Sequence, residues 1–146
     1  MKSRIFLQTI TALTAFAWGA MLYAAEPGSP LRAYSTETAM KRIDSREVDV
    51  DTQLPITGAL AKPGAKITYV MYRWHYANPP KNLSVQLCQL GGRCIDASKS
   101  PERMTQDFAG ATPAQPFYFR ARVPGTGDFK PLLGHRTATL LVNWYD

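Results

Sequence analysis

The chain has 146 residues and a formal net charge of +6, with 45% hydrophobic and 19% charged residues. That length leaves room for one domain, and the order of its segments excludes a second. A modest basic excess suits acidic protein or lipid surfaces as readily as nucleic acid, and reads mainly as solubility.

The N-terminus predicts a secretory signal peptide. Lys2 and Arg4 supply a positive start, Ile5 to Tyr23 is an apolar run without a charge, and Ala24-Ala25 precedes Glu26-Pro27. Ile5 to Ala25 is also about the length of a bilayer span. Gln8, Thr9, Thr11 and Thr14 weaken its first half, however, and the alanine pair favours cleavage after Ala24 or Ala25. No cysteine stands near the cut, which argues against a lipid anchor. The expected division is a signal peptide at 1–24 and one domain at 25–146, a mature chain of about 122 residues, enough for a single core. Such a chain is expected to keep no membrane span after cleavage and to be exported to a compartment without nucleic acid.

Glu26 to Asp44 reads as a loose or edge segment. Glu47-Val48-Asp49-Val50-Asp51 alternates as a strand with an exposed acidic face, and Leu54 to Gly58 begins a second short strand that Lys62-Pro63-Gly64 turns.

The centre of the chain is Ile67 to Cys94. Ile67 to Tyr76 is rich in β-branched and aromatic residues; Val70, Tyr72, Trp74 and Tyr76 form its more apolar face, leaving Tyr69, Arg73 and His75 outward. Asn78-Pro79-Pro80 stops the run because proline offers no amide hydrogen. The chain then returns as Leu83 to Cys88, alternating apolar and polar, and Gly91-Gly92 turns it again to bring Cys94 opposite Cys88. The expectation is a three-strand meander. Two cysteines in an exported chain at this spacing predict a disulfide. Zinc would require four ligands, and His75 and His135 lie far apart in no metal-binding pattern. A redox pair would favour C-x-x-C.

Lys99 to Ala114 is the longest irregular piece. Ser100-Pro101-Glu102 has the form of a capped helix start, which predicts a short helical turn near Ser100 to Asp107. Phe117 to Val123 alternates with Phe117, Phe119, Ala121 and Val123 inward and Tyr118, Arg120 and Arg122 outward; Thr137 to Tyr145 closes with Leu140, Val142 and Trp144 inward. About seven strands with turns between them predict an all-β fold, a single antiparallel β-sandwich.

Catalytic chemistry is missing. No Gly-x-Ser-x-Gly elbow occurs, the disulfide removes a thiol nucleophile, and Asp44, Asp96, Glu102 and Asp107 show no arrangement for acid/base work. The glycines of Pro124 to Asp128 lack the lysine of a phosphate loop. No catalytic residue, metal ligand or cofactor is therefore assigned, and the function falls to a surface. Arg73, Tyr118, Arg120 and Arg122 would make one basic and aromatic patch if the two long strands share a sheet, with Tyr69 and His75 as further contact candidates. Outward arginines also keep a sheet soluble. The alternative is a small-ligand or glycan-binding sandwich that uses exposed Tyr and Trp.

Val70-Met71-Tyr72-Arg73-Trp74, Leu83-x-Val85-x-Leu87-Cys88, Cys94, Phe108-Ala109, Phe117-x-Phe119, Val123-Pro124-Gly125-x-Gly127, Pro131-x-Leu133 and Leu140 to Asn143 occur in an order that resembles the flagellar protein FlhE family over roughly Thr57 to Tyr145. The resemblance implies a periplasmic flagellar accessory protein without enzymatic activity, whose partners are flagellar export or basal-body proteins. It also implies a part in restraining proton leakage through the export apparatus, as a plug or a chaperone-like factor.

Overall fold

A computed structural model describes residues 31–58 and 60–146, so the expected signal peptide lies outside the described residues. Eight strands follow in order: β1 (Arg32–Ala39), β2 (Val50–Leu54), β3 (Lys66–Arg73), β4 (Ser84–Gln89), β5 (Cys94–Asp96), β6 (Glu102–Thr105), β7 (Phe117–Arg122) and β8 (Thr137–Tyr145). They form two antiparallel four-stranded sheets, ordered β1-β8-β3-β6 and β2-β7-β4-β5, which pack as a sandwich.

The core comes from period-2 alternation. Val70, Tyr72, Leu140 and Val142 of the first sheet meet Val85, Leu87, Phe117, Phe119 and Ala121 of the second, all buried. Tyr72 and Phe119 touch edge to face across the layers, with ring centres 6.1 Å apart. Trp74 and Tyr76 continue the inward phase beyond β3. The Trp74 indole donates to the Ala97 carbonyl (3.0 Å) and the Tyr76 hydroxyl to that of Lys41 (2.8 Å), so both bury their polar tips satisfied. A register shift between Ile67 and Tyr69 changes the phase of β3, which lets Ile67 face inward as well as Val70.

Two expectations are corrected. The Ile67 to Cys88 stretch does not fold as a hairpin: β3 pairs with β8 and β6, while β4 lies in the other sheet between β7 and β5. Pro79 and Pro80 interrupt the ladder, and Asn78, in the left-handed region at φ 47°, helps take the chain across to the second layer. Only the β4–β5 arm of the meander pairs, and it carries the Cys88–Cys94 disulfide. Nor does Ser100 to Asp107 make a helical turn, since Glu102–Thr105 is strand β6. The free edge of β3 captures it: Arg73 lies opposite Glu102, and the Trp74 amide donates to the Pro101 carbonyl at 2.9 Å. A helix this short cannot repay its nucleation, whereas an open sheet edge offers partners already in place.

The rest of the Lys99 to Ala114 segment is held. Phe108 is buried, with its ring 5.0 Å from that of Phe117 in a perpendicular contact. The Gly110 amide donates to the Ile67 carbonyl (2.9 Å), the Ile67 amide to that of Ala111 (2.8 Å), and the Gln89 side chain to that of Thr112 (2.7 Å).

Candidate partner-contact faces

The outer face of each sheet carries one half of the predicted patch. β3 and β7 lie in different sheets, so Arg73 and Tyr69 are separated by the core from Tyr118, Arg120 and Arg122.

On the second sheet the arginines are already partnered. Antiparallel pairing of β2 with β7 sets Asp51 opposite Arg120, whose guanidinium makes a two-pronged contact with that carboxylate at 2.8 and 2.9 Å. Arg122 pairs with Glu47, and Asp49 lies between them, 3.9 Å from Arg120 and 3.7 Å from Arg122. The Arg120 guanidinium also sits over the Tyr118 ring, 5.3 Å from its centre. The Asp51 hydrogen bonds push Arg120 above its already high ordinary value. Hydrogen bonds from Arg122 and from the Gly125 amide hold the Glu47 carboxyl below the usual range. The acidic stretch and the outward arginines, read separately in the sequence, are thus the two rails of one ion-pair ladder. Opposite charges spaced two residues apart in both segments were the available signal for that pairing.

The first sheet presents a different surface. Register places Ser35, Leu141, Met71 and Met104 in one row across its four strands and Glu37, Thr139, Arg73 and Glu102 in the next. Met71 and Met104 are 42% and 59% exposed, which makes the first row an apolar stripe. Arg73 and Glu102 form an ion pair at 2.8 Å beside it, which holds Glu102 below its ordinary range. Together these rows line a shallow groove of about 390 Å³. Tyr69, half-buried and opposite Asn143, continues the face. In the sequence Met104 falls in the segment expected to be helical, and Met71 lies on the outward face with Tyr69, Arg73 and His75 without a charge or ring to mark it.

His75 lies at the end of the same face, and the fold brings His135 to it. Tyr76 and Gly134 form a bridge, the His135 amide donates to the His75 carbonyl (3.0 Å), and the ring centres stand 5.1 Å apart. The two histidines, far apart in the sequence, thus stand side by side in the fold. Trp74 and Trp144 are buried, so among the described residues no tryptophan serves an outer face, as the glycan-binding reading requires. Among these residues no group of three or more His, Cys, Asp or Glu side chains could hold a metal, and no helix is long and apolar enough to cross a membrane.

Residues 42–145 match the family described as Flagellar protein FlhE. The chain belongs to the FlhE family. The match runs from the loop before β2 to the end of β8 and so takes in seven of the eight strands. A solved structure described as "Crystal Structure of FLHE" has the same fold, with a TM-score of 0.69 at 24% identity over 80% of this chain and 98% of the other. No curated protein matches. FlhE membership makes this a flagellar accessory protein.

Proposed function

We propose that this FlhE-family protein acts in the periplasm by protein contact, on flagellar export or basal-body proteins, and not as an enzyme. Family membership carries the reading. The positive, apolar and small-residue pattern of the N-terminus supports export, and the Cys88–Cys94 disulfide suits an oxidising compartment. Its task at the export apparatus is to limit proton leakage or to hold a client in chaperone fashion.

The contact face is the outer side of the first sheet. Methionine gives adaptable apolar surface, and tyrosine and arginine are favoured where proteins meet, so Tyr69, Met71, Arg73 and Met104 form the contact. Arg120, Arg122 and Tyr118 take the lesser part because their charges are compensated within the chain. The test is a deletion strain followed for cytoplasmic pH and swimming while flagella assemble. Deletion should acidify the cytoplasm or impair filaments, and a Met71→Glu/Met104→Glu variant that keeps its melting temperature should fail to restore them. Normal pH and filaments after deletion would refute the flagellar role. Full rescue by the variant would move the contact elsewhere.

A further inference from the structure

The His75–His135 pair lies at the end of the face proposed above, beside the contact, and its ring spacing fits two imidazoles on one ion. Its two rings come from segments far apart in sequence and are set opposite each other by backbone pairing: the His135 amide donates to the His75 carbonyl at 3.0 Å, the Ala77 amide to that of Leu133 at 3.0 Å. Gly134 is packed so tightly between them that a Cβ there would come within 2.4 Å of the Met40 carbonyl oxygen. The pair is thus held by main chain on both sides, without relying on flexible side chains. The ring centres are 5.1 Å apart with planes inclined at 54°. A metal-bound imidazole has its ring centre about 3.2 Å from the ion, a bond of about 2.0–2.1 Å plus a ring radius of about 1.15 Å. Two such rings on one ion stand about 4.5 Å apart at a square-planar angle and about 5.2 Å apart at a tetrahedral one. The observed spacing falls within this window. Among the described residues Nδ1 of His75 is shielded from solvent without a hydrogen-bond partner, a state it shares with the Tyr34 and Tyr72 hydroxyls and the Trp144 indole, and it is the one such atom that is an imidazole nitrogen able to take a metal.

We infer that His75 and His135 together bind one late first-row divalent ion, Cu²⁺, Ni²⁺ or Zn²⁺, through two imidazole nitrogens. Water or a group from a bound partner completes the coordination sphere. Neutral imidazole is a favoured ligand of these ions and a poor one for Mg²⁺ or Ca²⁺, and affinity rises from Zn²⁺ and Ni²⁺ to Cu²⁺. The surrounding charge limits the affinity. Arg73 is neutralised by Glu102, but Arg136 lines the same hollow as His75, so binding is expected to be weaker than at a site without a nearby cation.

The test is calorimetric titration of the full chain with Cu²⁺, Ni²⁺ and Mg²⁺, with electron paramagnetic resonance on the copper sample. The expected result is one Cu²⁺ per chain, weaker Ni²⁺, no Mg²⁺ heat, and a copper spectrum showing two nitrogen ligands. His135→Ala, at an exposed position, should weaken Cu²⁺ binding about tenfold or more with an unchanged circular dichroism spectrum, and His75→Gln should do the same. Equal copper affinity in the parent and in both variants would overturn the assignment, as would a spectrum with no nitrogen ligand. The flagellar reading is unaffected by either outcome, since its readouts are cytoplasmic pH and filaments.

Discussion

Phe108→Ala tests whether the stretch after β6 is part of the core or a surface loop. The ring is wholly buried, lies perpendicular to Phe117, and hangs from backbone pinned to Ile67. Truncating a buried phenylalanine costs about 3–5 kcal/mol, of which about 0.5–1.5 reflects the aromatic pair and the rest lost burial and the cavity left behind. Against a total stability of about 5–15 kcal/mol that is a large fraction. It should lower the melting temperature by roughly 10–20 °C. Urea unfolding followed by tryptophan fluorescence should show the midpoint falling with an unchanged slope, since the surface exposed on unfolding is nearly the same. Phe108→Leu should recover most of the loss, leaving a deficit of about 1–1.5 kcal/mol. A loss below about 1 kcal/mol for the alanine variant would show that the ring contributes no core packing and would refute the reasoning.

Replacing both cysteines by alanine should lower stability by about 2 kcal/mol, the loop-entropy value for so short a closure, in the same urea assay. Gly134→Ala should cost about 1–3 kcal/mol because its methyl group meets main chain and not a yielding side chain, and a thermal melt would show it. The carboxyls of Glu47 and Glu102 lie below their ordinary value of 4.5 through hydrogen bonds from Arg122 and Arg73, and Asp96 lies below 3.8 through the Ser98 hydroxyl. A carboxyl depressed in the folded state contributes stability above its unfolded value and loses it as pH falls through the folded one. Melting temperature should therefore hold between pH 7 and about 5 and drop below about 4.5, with a shallower drop in Glu47→Gln.

The faces of β7 and β8 were legible in the sequence because alternation is local: Phe117, Phe119, Leu140 and Val142 declare their own side. The fold class followed from the number of such segments. What local pattern cannot carry is which strands share a sheet. Sequence neighbours β3 and β4 looked like a hairpin, yet β3 found better partners in β8 and β6, so the patch built on Arg73 and Arg120 fell apart with the assumed pairing. The helix start at Ser100 was a sound local signal overridden by an open edge. The histidine pair was invisible for a related reason, since nothing near His75 indicates that Gly134 and His135 will come to lie beside it.

The position of β8 has a consequence for how the protein can be made. It is the last of the eight described strands, yet it lies between β1 and β3, the partner of both. A polypeptide that emerges N-terminus first, from a ribosome or a translocation channel, shows these two strands with open edges long before Tyr145 arrives. The β4–β5 hairpin needs nothing beyond Asp96, the β3–β6 pair nothing beyond Thr105 and the second sheet nothing beyond Arg122, but β1 and β3 are joined only by β8. Until β8 is made and pairs, the facing edges of β1 and β3 are open to aggregation or chaperones.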